Sequence, residues 1–229
     1  MKSKNIQQVE DYVKSIKDTE IAHDFMHVDR VRNWALQIAR EENFKDLEIV
    51  EIAALMHDIG LSQAGERITH GAVGASMAAK FLGEKKLLAQ ERIDEICNAI
   101  RFHNKNREGE GRLLEILRDA DTIDLSGAIG IMRAFLCTSS RIEYDPNKIK
   151  GETWGMGVKD FNKRFDNGIG IGNFIIDQPN FQISCYGNLS TKTAKEIVKP
   201  LAEFMRDFIK QFEREVCDGR EIINKKINK

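Results

Sequence analysis

Leu47-Glu48-Ile49-Val50-Glu51-Ile52-Ala53-Ala54-Leu55-Met56-His57-Asp58-Ile59-Gly60 is the stretch from which the fold can be read. Leu47, Val50, Ala53, Ala54 and Leu55 recur at helical spacing, so the segment is predicted to be a buried helix. It is expected to end at Met56-His57-Asp58-Ile59-Gly60, with Gly60 as the left-handed residue that closes it. The ending matters for chemistry. Adjacent residues of a regular helix point about 100° apart, so an imidazole and a carboxylate in sequence share an ion most easily where the helix stops.

The chain before this stretch reads as helix. Ile6 to Ile16 has helical apolar spacing. A second helix is predicted to start at Asp24, a good N-cap, with Val28, Val31, Ala35, Ile38 and Ala39 on one face and His27 in its first turn. His23, four residues before His27, falls outside that helix if Asp24 caps it. If the helix already included His23, the pair would have a spacing that can bind zinc.

After the stretch, His70 opens a helix rich in glycine and alanine, whose small residues suggest close packing on a neighbour. Glu91 to His103 continues the helical pattern, and a further helix is expected from Leu113 to about Leu136, carrying Asp119, Asp121 and Asp124. No alternating strand pattern appears. The fold class is therefore all-α. Four of the five histidines fall in the series His27, His57, His70 and His103, interleaved with Asp58 and Asp121. Imidazole and carboxylate together suit divalent ions such as Mn²⁺, Fe²⁺ and Zn²⁺.

From Thr138 to Ser190 glycines recur, Pro146 and Pro179 interrupt, and aromatic residues are scattered without a period. This segment is expected to be a long irregular excursion, either a lid or a small packing flap. A last helix from Thr191 to about Cys217 is expected to pack back on the bundle, with the lysine-rich end beyond Asn224 fraying. The 229 residues, 41% hydrophobic, suit a single domain. Within it, the core would span about 20–137, the loop-rich segment 138–190 and the last helix 191–217.

A formal net charge of −1 leaves no broad electrostatic footprint for nucleic acid or anionic lipid. No apolar leader or membrane-spanning run is apparent, so a cytoplasmic protein is expected. Cys97, Cys137, Cys185 and Cys217 show no Cys-x-x-Cys pairing and read as ordinary thiols. Oligomeric state is not fixed by these features, and a homo-oligomer stays open.

His27, His57-Asp58 and Asp121, in the contexts His23-Asp24-Phe25-Met26-His27-Val28-Asp29-Arg30-Val31, Leu55-Met56-His57-Asp58-Ile59-Gly60 and Asp119-Ala120-Asp121-Thr122-Ile123-Asp124, resemble the H…HD…D signature of the HD superfamily of metal-dependent phosphohydrolases. The resemblance covers about residues 20–137. It implies one or two divalent ions (Mn²⁺, Fe²⁺ or Mg²⁺, with Zn²⁺ also compatible), Asp58 as bridging carboxylate, His27, His57 and Asp121 on one ion, and His70 and His103 on the other. Metal-activated water would then cleave a phosphorus–oxygen bond of a nucleotide or related small phosphate ester. The residues match neither the cyclic-di-nucleotide phosphodiesterases with a Gly-Tyr-Pro element nor the alarmone hydrolases, which carry an acidic pair after the His-Asp. Nucleoside-triphosphate pyrophosphohydrolase-like proteins and dinucleoside-polyphosphate hydrolases remain the two nearest branches.

Asp58 and Asp124 are the candidate catalytic carboxylates, with Asp124 one turn beyond Asp121 and able to orient an imidazole or take a proton. Arg30, Arg67, Arg101 and Lys105 flank the ligands and are candidates for holding phosphate oxygens. Each has an ordinary alternative as a solvated charge. The alternatives for His70 and His103, less favoured than ligation, are local bonding at a helix start and a solvated helix end. Two rival functions fit the same residues: a di-iron oxygenase of HD fold, and a non-catalytic nucleotide-binding signalling module with 138–190 as its output surface.

Overall fold

A computed structural model of the protein describes residues 3–16, 24–105 and 109–227, with side chains up to residue 218. His23 lies outside the described residues. Ten α-helices and no β-strand occur among those described: α1 (Lys4–Ser15), α2 (Phe25–Glu41), α3 (Leu47–Met56), α4 (His70–Lys85), α5 (Gln90–Phe102), α6 (Arg112–Asp124), α7 (Gly127–Thr138), α8 (Val158–Asp166), α9 (Asp177–Ser184) and α10 (Lys192–Ile227). None is long and apolar enough to cross a membrane. Two compact units divide the chain: Met1–Asp124 with Leu189–Lys195, and Leu125–Asn188 with Glu196–Lys229.

The first unit is built on side-chain caps and an aliphatic core. Asp24 accepts from the backbone N–H of His27 at 3.0 Å and starts α2 where the sequence predicts. Asp46 does the same for α3 through the N–H of Ile49 at 3.3 Å. Val31, Ala35, Ile38 and Ala39 of α2 are buried with Ile52, Ala53, Leu55 and Met56 of α3 and with Leu114, Ile116 and Leu117 of α6. Burying each of the larger aliphatic side chains contributes roughly 1.5–3 kcal/mol.

Gly60 departs from expectation. It does not take a positive φ but lies in a short 3-10 turn, Ile59–Ser62. Glycine is required for approach instead: a Cβ there would lie 2.0 Å from the His70 carbonyl oxygen and 2.5 Å from the Gly74 nitrogen. The same logic holds Gly71, whose Cβ would meet the Arg101 carbonyl at 2.7 Å. Close backbone contact thus brings His57-Asp58, the start of α4 and the end of α5 together.

Segment 189–195 is pinned within the first unit by two carboxylates. Asp119 accepts from the N–H groups of Ser190 and Thr191 and from the Thr191 hydroxyl, at 3.0, 2.7 and 2.7 Å. Glu42 accepts from the N–H and hydroxyl of Thr193 at 3.0 and 2.9 Å. Both carboxylates therefore cap the start of α10, where free N–H groups favour negative charge.

The second unit corrects two expectations. The helix predicted over Leu113–Leu136 is broken, because Ser126 is extended and Gly127 takes φ +67°, so α6 and α7 are separate. The segment 138–190 is more ordered than an irregular excursion: it carries α8, α9 and a 3-10 turn, Cys185–Asn188. Phe161, Phe165 and Phe181 cluster there with ring centroids 5.3–6.4 Å apart, which is packing rather than an open wall. Buried Asp177 accepts from Thr153 N–H and hydroxyl and from Phe174 N–H at 3.0, 2.8 and 3.2 Å, tying the loop to α9. The last helix continues through Ile227 instead of fraying at Asn224.

Candidate metal centre

Four helix ends and one helix interior converge in the first unit. His27 comes from the first turn of α2, His57 and Asp58 follow the last residue of α3, His70 opens α4, His103 follows α5, and Asp121 lies on α6. His27 and His57 are fully buried, and His70 and His103 are buried at 7% and 5% exposure. Their donor atoms form two groups, His27–His57–Asp121 and Asp58–His70–His103, each within 4.8 Å.

Asp58 stands between the groups. Its Oδ2 lies 3.4 Å from both His27 Nε2 and His57 Nε2. Its Oδ1 lies 3.3 Å from His70 Nε2 and 3.4 Å from His103 Nε2. One carboxylate oxygen thus faces each histidine pair.

The outer nitrogens fix the tautomers. His57 Nδ1 donates to the Ala54 carbonyl at 2.7 Å, His70 Nδ1 to Arg67 at 2.5 Å and His103 Nδ1 to Ile100 at 2.7 Å. In each case the acceptor lies three residues back. His27 Nδ1 bonds to Asp124 Oδ2 at 2.8 Å instead. All four partners are acceptors, so each Nδ1 carries a hydrogen and each Nε2 points inward, where it can offer a lone pair once deprotonated.

The Nε2 atoms face one another across 3.2 Å (His27–His57) and 3.1 Å (His70–His103), beside two carboxylates. Two unprotonated Nε2 atoms this close repel each other unless a proton or a metal ion sits between them. The donor set, two imidazoles on each side with Asp58 between them and Asp121 added on the first side, fits borderline divalent ions.

The ionisation of the ion-free cluster follows. Burial drives the His57 imidazolium down, but the Asp58 carboxylate outweighs it and raises the group from 6.5 to about 9. His70 is also raised, its burial penalty outweighed by bonding to Asp58. At Asp121 burial pushes upward, while His27 and His57 pull the carboxyl below its usual range. Its side chain, 28% exposed, is the more open of the two central carboxylates, since that of Asp58 is 8% exposed.

Of the remaining predicted residues, Asp124 lies behind His27, with its side chain fully buried, rather than at an open face. Its oxygens receive His27 and, at 2.6 and 3.0 Å, the Nε and Nη2 of Arg30. Arg30 is therefore engaged with Asp124. Arg67 lies in an exposed 3-10 turn ahead of His70, and Arg101 is exposed in the last turn of α5. Lys105 is half-buried just past His103, and its carbonyl accepts from Arg118.

Sequence reading missed two supports. Arg118 donates through Nη2 to the Phe102 carbonyl at 2.7 Å and to that of Lys105, binding the end of α5 to α6. Asn104 Nδ2 donates to Ile68 O at 3.2 Å, which ties the end of α5 to the turn ahead of His70, and it lies 3.2 Å from His70 Nδ1. Neither residue type carries a metal signature, so only the folded arrangement reveals them.

Residues 24–126 match the HD domain family. The chain is 26% identical over 217 residues, covering 93% of it and 94% of the relative, to the uncharacterized protein YpgQ of Bacillus subtilis strain 168. It is similar in fold to the crystal structure of YpgQ in complex with ADP, with TM-score 0.62, 24% identity and coverage of 93% of this chain and 95% of that one. An HD-superfamily hydrolase from Bacillus thuringiensis is similar at TM-score 0.63 and 24% identity, with 92% and 95% of the two chains covered.

Proposed function

We propose that this chain, whose residues 24–126 match the HD domain family, is a metal-dependent phosphohydrolase of that superfamily acting on a nucleotide or related small phosphate ester. The observation that carries the reading is Asp58, with one oxygen toward each pair of inward-facing imidazoles. His27, His57 and Asp121 would hold one divalent ion, His70 and His103 a second, and Asp58 both. Bound ions would supply an activated water and neutralise charge on phosphate oxygens. Four imidazole nitrogens favour Mn²⁺, Fe²⁺ or Zn²⁺ over Mg²⁺, which prefers oxygen ligands.

The chain's own residues would do the rest. Asp124, fixed by Arg30, holds His27 in the tautomer that keeps Nε2 free. That makes it a positioning residue rather than the group that takes a proton from water. Asp121, partly exposed, marks the face on which a phosphate would approach. Arg101 lies exposed in the last turn of the helix that His103 follows, where it is available to bind phosphate oxygens. The ADP held by YpgQ supports a nucleotide as the ligand class.

Turnover of protein reconstituted separately with Mn²⁺ and Fe²⁺ tests this, using nucleoside triphosphates, monophosphates and dinucleoside polyphosphates with chromatographic resolution of products. Metal-dependent hydrolysis that is lost in Asp58→Ala is expected, and the products will identify the bond cleaved. The same donor set would also suit two redox-active irons. Oxygen consumption without phosphate release would replace the hydrolase reading with an oxygenase.

A further inference from the structure

The second unit contains a cavity of about 300 Å³ that is built wholly from its own residues. Trp154 and Tyr186 contribute aromatic surface, Met156, Val158 and Ile183 apolar surface, and Arg206 of α10 the only charged side chain in the lining. Arg206 is half-buried and has no carboxylate within ion-pair distance among the described residues. On α10, Asp207 pairs with Lys210 at 3.1 Å and Glu213 with Lys150 at 3.0 Å, while exposed Glu203, one turn before Arg206, does not reach it within ion-pair distance. A half-buried guanidinium without a counter-ion, at the wall of a cavity lined by aromatic and aliphatic surface with Asn180 and Ser184, is placed to form a charge-assisted bond to an anionic ligand.

The wall is held rigid on both sides of Trp154. Thr153, immediately before it, is fully buried and bonded twice to Asp177. Beyond it, Gly155 turns the chain at φ +81°, and the N–H of Gly157 is accepted by Asp160 at 3.0 Å. Lys150 Nζ lies 5.4 Å from the Trp154 ring centroid. A fixed aromatic surface loses little entropy on binding a flat ring.

We propose that this cavity is a ligand site, separate from the metal centre, for a small aromatic or heteroaromatic monocarboxylate. The ring packs on Trp154 and Tyr186, and the carboxylate pairs with Arg206. A single cation matches a single charge, and the volume lies at the lower edge of ligand pockets, so a nucleoside polyphosphate is not matched. The site does not depend on the phosphohydrolase reading.

The test uses indole-3-acetate and its uncharged analogue indole-3-acetamide as probes of the full-length, metal-loaded protein. Isothermal titration gives the affinities, and saturation-transfer NMR gives the ring contacts. The carboxylate is expected to bind more tightly than the amide. Arg206→Gln is expected to weaken the carboxylate at least about tenfold, in line with loss of a charge-assisted bond, and to leave the amide unchanged. Arg206→Lys should restore part of the difference, and unchanged thermal melting of the variants shows that they fold. Equal binding of the two probes, unaltered carboxylate affinity in Arg206→Gln, or no carboxylate binding at millimolar concentration would each overturn the proposal. Loss of carboxylate binding in Asp58→Ala would assign it to the metal centre and would also overturn it.

Discussion

The two ligand groups that meet at Asp58 each present two imidazoles, but they differ in their carboxylates, since Asp121 belongs only to the first, and in their backing. In the His27–His57–Asp121 group, His27 is held by a buried carboxylate that is itself gripped by Arg30. In the Asp58–His70–His103 group, both imidazoles rest on carbonyls three residues back, with Asn104 alongside His70. A carboxylate behind an imidazole makes it a more basic ligand than a neutral carbonyl does. On the proposed reading, the extra carboxylate and the more basic imidazole should make the first group hold its ion more tightly than the second.

The largest effect expected from breaking this comparison is that of His103→Ala. It removes one of two imidazoles from the carbonyl-backed group, so metal content by mass spectrometry should fall from two ions per chain to one and turnover should be lost. Asp124→Asn keeps the shape and removes the charge behind His27. Affinity of the tighter ion should fall about 10–100-fold, narrowing the gap between the two steps of a metal titration. If the weaker step moves instead, the assignment of backing to group is wrong.

Proton linkage sharpens the same contrast. His57 is raised from 6.5 to about 9 in the ion-free protein, with the Asp58 carboxylate overcoming the opposing effect of burial. Its contribution to the stability of the ion-free fold is therefore complete below about pH 6.5 and is lost as pH rises through about 9. Metal must displace that proton. Loading at pH 7 should release protons, seen as calorimetric heats that depend on buffer ionisation, and metal affinity should rise over the same window.

The smallest effect lies away from the ions. Glu42 is held below the usual carboxyl range chiefly by the Thr193 N–H, against a smaller opposing push from burial. Its stabilisation is present above its ordinary value and fades as pH falls through the lowered one. Glu42→Gln should cost about 1 kcal/mol at pH 7, read as a lower Tm. That deficit should vanish in acid and leave metal content unchanged.

Much of the site was legible because its signals are local. Asp24 is a cap with a fixed offset to His27, and His57-Asp58 ends an apolar helix, so both positions follow from short-range rules. Of the partners that set the tautomers, only Asp124 was legible, as a carboxylate able to orient an imidazole, from its place one helical turn beyond Asp121. The other three are backbone carbonyls. Gly60 was misread because a positive φ and a close backbone approach both demand glycine, and only the position of His70 separates them. Helices α8 and α9, of nine and eight residues, are too short to show a period against the glycines around them. The cavity residues come from three separate stretches, 154–158, 180–187 and Arg206, and nothing in the sequence joins them.

The central claim, that Asp58 joins two metal-holding groups, is tested most directly by crystals of Mn²⁺-loaded protein measured at the manganese absorption edge. Two anomalous peaks flanking Asp58 are predicted, one within ligand distance of His27, His57 and Asp121 and one within ligand distance of His70 and His103. A single peak in fully loaded protein, or peaks remote from Asp58, would contradict the account.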